Sequence, residues 1–126
     1  MINKEQAEYL ILILYTVSLA DNEFHEEEEN YIISIGTKYG IEKDRISFII
    51  KNPHKIFQRD PENDDEKLLF AYSMCELLYS DGKIDPREVN SLRKFMELMG
   101  LTQVDELSSI MIDSVINNIE FEAFLN

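Results

Sequence analysis

The sequence predicts an all-α protein, a compact helical bundle of about six to seven helices built from two pseudo-symmetric repeats. Three observations lead there. Apolar residues recur at helical spacing over most of the chain, with no strand-like run of standing before the last ten residues. Proline is confined to Pro53, Pro61 and Pro86 and glycine to four positions, so long uninterrupted helices are allowed. One stretch is also written twice, sixty residues apart: Leu19-Ala20-Asp21-Asn22-Glu23-Phe24-His25-Glu26-Glu27-Glu28 lies over Tyr79-Ser80-Asp81-Gly82-Lys83-Ile84-Asp85-Pro86-Arg87-Glu88 without a gap. The register runs backward through the apolar stretches Leu10 to Leu19 and Phe70 to Tyr79, and forward to Tyr39-Gly40-Ile41 and Met99-Gly100-Leu101.

In chain order, the first helix is expected from about Lys4 to Ala20. It is apolar on nearly every face beyond Tyr9, which argues for burial all round. After a short loop, a second helix from about Glu26 to Tyr39 carries one stripe of Ile32, Ile35 and Tyr39, and Gly40 stands where a left-handed cap residue belongs. A third, from about Glu42 to Ile50, packs Ile46, Ile49 and Ile50. Residues 51–63 read as a connection, with a short helix starting at Pro53. A second buried helix covers about Asp65 to Ser80. An amphipathic one follows from Pro86 to Met99 on Val89, Leu92, Phe95, Met96 and Met99, and Gly100 caps it. A last helix runs from near Thr102 to about Ile116. The tail 117–126 alternates like a strand, but it follows six helices and has no partner strand, so a docked helical turn is expected. The repeats are thus about 4–50 and 64–116 of a single domain spanning 1–126.

Composition bounds the function. Acids outnumber bases 25 to 12, for a net charge of -13. Such a field repels nucleic acid and anionic lipid and suits cations, basic partners or solubility alone. The single cysteine, Cys75, rules out an internal disulfide, fits a reducing compartment and reads as a small buried hydrophobe. No signal peptide is expected, and the apolar run Tyr9 to Ala20 falls short of the roughly 20 residues that span a bilayer. These features point to the cytoplasm and against membrane insertion.

The repeated loop is where chemistry is concentrated. In the second copy, Asp85 is placed as a helix N-cap, Pro86 at the first helical position and Glu88 three residues beyond the cap, as in a capping box. A cap of that kind contributes about 1 kcal/mol and needs no ligand. Gly82 and Asn22 are placed to take the positive φ of a sharp turn. Asp81 and Asp21 are harder to place, because a carboxylate at the C-terminal end of a helix opposes its dipole. Backbone N–H groups across the loop, a Lys or Arg, or a bound cation would each relieve it. A true EF-hand is rejected: with Gly82 as loop position 6, positions 1 and 3 fall on Leu77 and Tyr79, which cannot supply its side-chain oxygens. Any ion here is hard and oxygen-bound, such as calcium, magnesium or manganese. Zinc is poorly supported, with only His25, His54 and one buried thiol.

An apolar helix, then Asp-Gly-x-Ile-x-x-x-Glu, an amphipathic helix and Gly-Leu, with the whole unit doubled, resembles the TerB-like tellurite-resistance domain and its relatives in membrane-anchored J-domain co-chaperones. The resemblance covers most of residues 8–116. It implies an all-helical fold, a role in bacterial stress response, and divalent-cation binding by acidic residues, which by position are Asp21, Glu28, Asp81 and Glu88. The first copy departs from the pattern, with Asn22 in place of glycine and His25 where the second copy has Asp85.

Elsewhere, Glu26 to Glu29 read as a dipole-favoured helix start, and with Asp21 and Glu23 they make six acids in nine residues. Lys51, His54, Lys55 and Arg59 form the only basic cluster and are expected to pair with the chain's own carboxylates. The tyrosines and phenylalanines read mainly as core. No phosphate loop, nucleophile–base pair or catalytic triad is recognisable. The leading expectation is a non-enzymatic interaction or cation-sensing module with a protein partner. The alternative is an acidic immunity-type inhibitor of a basic toxin or nuclease, motivated by size and charge.

Overall fold

The computed structural model describes residues 2–19 and 25–126. Among these the chain is all-α, without a strand. The helices are α1 (Lys4–Ser18), α2 (Glu26–Lys38), α3 (Lys43–Lys51), α4 (Asp64–Leu78), α5 (Pro86–Leu98), α6 (Val104–Ile116) and α7 (Phe121–Leu125), with a 3-10 turn at Pro53–Lys55. The chain divides into two units, Met1–Pro61 and Glu62–Asn126. The bounds of α1 and α2 recur sixty residues on as those of α4 and α5.

In the first unit each of α1, α2 and α3 packs against the other two. α1 starts on an Asn3 cap, where the Asn3 side chain accepts from the Gln6 N–H at 2.8 Å and the Gln6 side chain accepts from the Asn3 N–H at 3.1 Å. Its buried face is Ala7, Leu10, Ile11 and Leu14, met by Ile32 and Ile35 of α2, Ile41, and Ile46 and Ile49 of α3. Gly36 lies at the centre of this packing. A Cβ placed there would come within 2.6 Å of both Ile11 Cδ1 and Ile46 Cδ1, so the missing side chain lets α2 approach both neighbours. Arg45 on α3 grips Glu8 on α1 through two bonds of 2.8 Å, from Nε and from an Nη. The segment after the 3-10 turn returns to the start of α1, where the Gln6 side chain donates to the Asp60 carbonyl at 3.2 Å and Arg59 pairs with Glu5.

In the second unit α4, α5 and α6 likewise pack pairwise, and α7 lies on α4. α4 is the most deeply buried helix: from Leu69 to Leu78 every residue but Glu76 is buried. α1 differs from that expectation, since Leu12, Ile13, Tyr15 and Val17 are half-buried and Thr16 is exposed. The docked tail adds cover to α4 at Tyr72. Phe121 and Phe124 set their rings 5.6 Å and 4.9 Å from Tyr72, and the Tyr72 hydroxyl donates to the Ile119 carbonyl. The tail is therefore the helical turn expected from its place in the chain.

Both amphipathic helices end the same way. Ile41 N–H donates to Gly36 O at 2.8 Å and Gly40 N–H to Thr37 O at 3.0 Å; Leu101 N–H donates to Met96 O at 3.0 Å and Gly100 N–H to Glu97 O at 2.9 Å. These are paired Schellman closures, and they require the left-handed φ of 83° at Gly40 and 86° at Gly100. α6 closes alike on Asn118, with φ of 59°, through Ile119 N–H to Ser114 O and Asn118 N–H to Val115 O.

Candidate functional site

The repeated loop is built from its helix ends inward. α4 ends at Leu78 with Tyr79 as its C-cap. The Gly82 N–H turns back to the Tyr79 carbonyl at 2.8 Å, with φ of 93° at Gly82. Asp81 is exposed, and its carboxylate accepts from the Lys83 N–H at 3.2 Å, an Asx turn. A backbone donor thus meets the charge that sequence left unexplained, and it lies within the loop itself. Ile84 is half-buried.

Asp85 then caps α5, accepting from the Arg87 N–H at 2.9 Å and the Glu88 N–H at 3.0 Å. Glu88 answers by accepting from the Asp85 N–H at 3.0 Å. Pro86 occupies the first helical position. In the first copy, Glu28 accepts from the His25 N–H at 3.1 Å. The glutamate kept in both copies therefore does the same local work in both, holding the backbone N–H at the start of an amphipathic helix.

Of the four carboxylates assigned to cation binding, Glu28, Asp81 and Glu88 each accept a backbone N–H bond. Asp21 lies outside the described residues, as do Asn22, Glu23 and Phe24. Among the described residues no three His, Cys, Asp or Glu side chains converge in a geometry that holds a metal ion.

Acidic residues open every helix: Glu5 in α1, Glu26 to Glu29 in α2, Asp44 in α3, Asp64 to Glu66 in α4, Glu88 in α5, Asp105 and Glu106 in α6, and Glu122 in α7. Negative charge in a first turn is favoured by the helix dipole by about 0.3–1 kcal/mol per group. Much of the net charge thus has a purely local reason.

Cys75 is fully buried, as expected of a small hydrophobe, and burial together with the nearby Glu76 pushes its thiol up to about 12. At neutral pH it is protonated and inert.

The basic cluster departs from expectation. Arg59 pairs with Glu5, but among the described residues no carboxylate lies within ion-pair distance of Lys51, His54 or Lys55. Two of the phenylalanines read as core also lie here, in the open. Phe57 is 79% exposed and Phe48 36%. Arg45 sits over the Phe48 ring at 4.8 Å and Lys55 at 5.8 Å, while Arg59 lies 5.8 Å from the Phe57 ring. The sequence held a signal for this: from Arg45 to Arg59 it has four Lys or Arg and no Asp or Glu.

No family model, no curated protein and no solved structure matches this chain.

Proposed function

We propose that this chain is a non-enzymatic, TerB-like interaction module acting in the cytoplasm within a bacterial stress-response assembly. The observation that carries the reading is the recurrence of one device. A glutamate three residues into an amphipathic helix holds the N–H of the residue before that helix, at His25–Glu28 and again at Asp85–Glu88. It sits in the motif on which the family resemblance rests, and between helices whose bounds repeat at the same offset. A protein partner is the natural ligand of such a module. In-cell crosslinking followed by affinity purification of the full chain tests it, with a reproducible stress-response or membrane-associated protein partner as the expected result. Recovery of no reproducible partner overturns the reading.

Cation sensing is the narrower form of this proposal, with Asp21, Glu28, Asp81 and Glu88 as the donors. An ion would have to compete with the backbone N–H groups that Glu28, Asp81 and Glu88 already serve, and water and carbonyl oxygens would have to complete its shell. Calcium, magnesium and manganese titrations read on the backbone amides test it. Saturable shifts centred on residues 21–28 and 81–88 support sensing, and their absence at millimolar ion leaves the interaction module alone.

The exposed run Glu26, Glu27 and Glu29 favours a second reading, an acidic inhibitor of a basic toxin or nuclease. It expects one tight basic partner whose association slows steeply with added salt. The first-turn placement of so many acids gives the charge another cause and leaves this reading second.

A further inference from the structure

We propose that the corner made by the end of α3, the Pro53–Lys55 turn and the segment through Arg59 is a docking surface for an acidic peptide segment carrying an aromatic or aliphatic anchor. This inference rests on the reading of the chain as an interaction module and names the partner chemistry of one face of it.

Three observations converge on this corner. The first is exposed aromatic area: Phe57 is 79% exposed and Phe48 stands beside the same turn at 36%. Large, rigid aromatic side chains are the anchors that carry binding energy when a partner covers them. The second is charge. The stretch from Arg45 to Arg59 gathers four of the twelve Lys and Arg of the chain and no acid. Its arginines are held by Glu8 and Glu5, while Lys51 and Lys55 are exposed, with no carboxylate in ion-pair reach among the described residues. The third is preorganisation. Arg45 and Lys55 both lie against the Phe48 ring, at 4.8 Å and 5.8 Å, and the Asn52 side chain ties the turn to the Phe48 carbonyl at 3.1 Å. Two cations and the Phe48 ring therefore already share one face, and binding has less ordering to impose.

Charge complementarity selects the occupant. A basic patch with apolar rings matches a segment that places Asp or Glu beside one or two apolar side chains. Nucleic acid and anionic membrane share the negative charge, but both extend well beyond the patch and would meet the field of a chain with net charge -13. A short segment stays within the reach of the patch, because salt limits the surrounding acids to about 8 Å at physiological ionic strength.

The test is selection of a random dodecapeptide library against the full chain, followed by binding of the enriched peptides, fluorescein-labelled, to wild type, Phe57→Ala, Lys51→Glu and Lys55→Glu. All three positions are exposed, and circular dichroism confirms that each variant keeps its helices. The expected result is enrichment of Asp- and Glu-rich peptides with an aromatic or aliphatic residue, binding weakened about tenfold or more by each variant, and weakened again by salt. Enrichment of basic peptides, no enrichment at all, or acidic peptides that bind every variant equally overturns the proposal. Phosphatidylserine vesicles and single-stranded DNA are run alongside, and binding of either that is lost in the same variants, in place of peptide binding, also overturns it. A cellular partner retained undiminished by Phe57→Ala sinks this surface while leaving the interaction module standing.

Discussion

Asp85 and Glu88 hold one another's backbone: each carboxylate accepts the N–H of the other residue, both at 3.0 Å. This reciprocity gives Glu88 a structural role that makes a different demand on its charge than the cation binding proposed for it.

Asp85→Ala removes two accepted bonds at the start of α5 and should cost about 1 kcal/mol. Glu88→Gln keeps an oxygen acceptor at the same place and should cost no more than about 0.5 kcal/mol. Urea unfolding of the two variants gives the comparison. Equal losses above about 1 kcal/mol would show that the negative charge of Glu88, and with it something beyond the cap, matters.

Gly36→Ala improves intrinsic helix propensity by about 1 kcal/mol but forces a methyl against Ile11 and Ile46, both 1% exposed. Overpacking of a filled core costs about 1–3 kcal/mol, so the net change should be destabilising by up to about 2 kcal/mol. Adding Ile46→Val to Gly36→Ala should recover part of the loss, a coupling that a double-mutant cycle in denaturant measures.

The tail makes its own contribution to the second unit. Tyr72→Phe removes the donor to the Ile119 carbonyl and should cost about 1 kcal/mol. Phe121→Ala empties a site that is 3% exposed and should cost about 3 kcal/mol. Thermal melts of the two variants should fall in that order. Similar small losses for both would mean that α7 is not docked in solution.

Alkaline pH should destabilise the fold through α4. Burial raises Cys75 from 9.0 and Tyr72 from 10.0, each to about 12. Below about pH 9 both groups are protonated folded and unfolded, so their contribution is fully present. Between about 9 and 12 the unfolded chain releases protons that the folded chain keeps, so stability falls as pH rises. Melting temperatures measured from about pH 8 to about pH 11 should decline, and Cys75→Ala should flatten the earlier part of that decline. A flat profile for wild type would contradict the burial of these groups.

What could be read in the sequence was what local chemistry decides. Gly40 and Gly100 follow apolar stripes and adopt the left-handed closure expected of them; Asp85, Pro86 and Glu88 form the start their spacing implies. The Asn118 closure of α6 was missed, because Asn tolerates positive φ without demanding it as glycine does in such a place. The partner of Asp81 was legible only as a choice among donors, since sequence does not say which N–H a flexible carboxylate will face. Phe48 and Phe57 were misread for a different reason. An aromatic in a helical or loop register looks like core until the neighbouring elements are placed, and here they leave Phe57 79% exposed.

The matched punctuation at both ends of α5 has a consequence for how this chain can be taken apart. Its start is written in residues 85–88 and its stop in residues 96–101, all of them next to the helix they delimit. Such a segment is portable: grafted into an unrelated helical host, it carries its own first and last turns with it and leaves the new neighbours only the apolar stripe to satisfy.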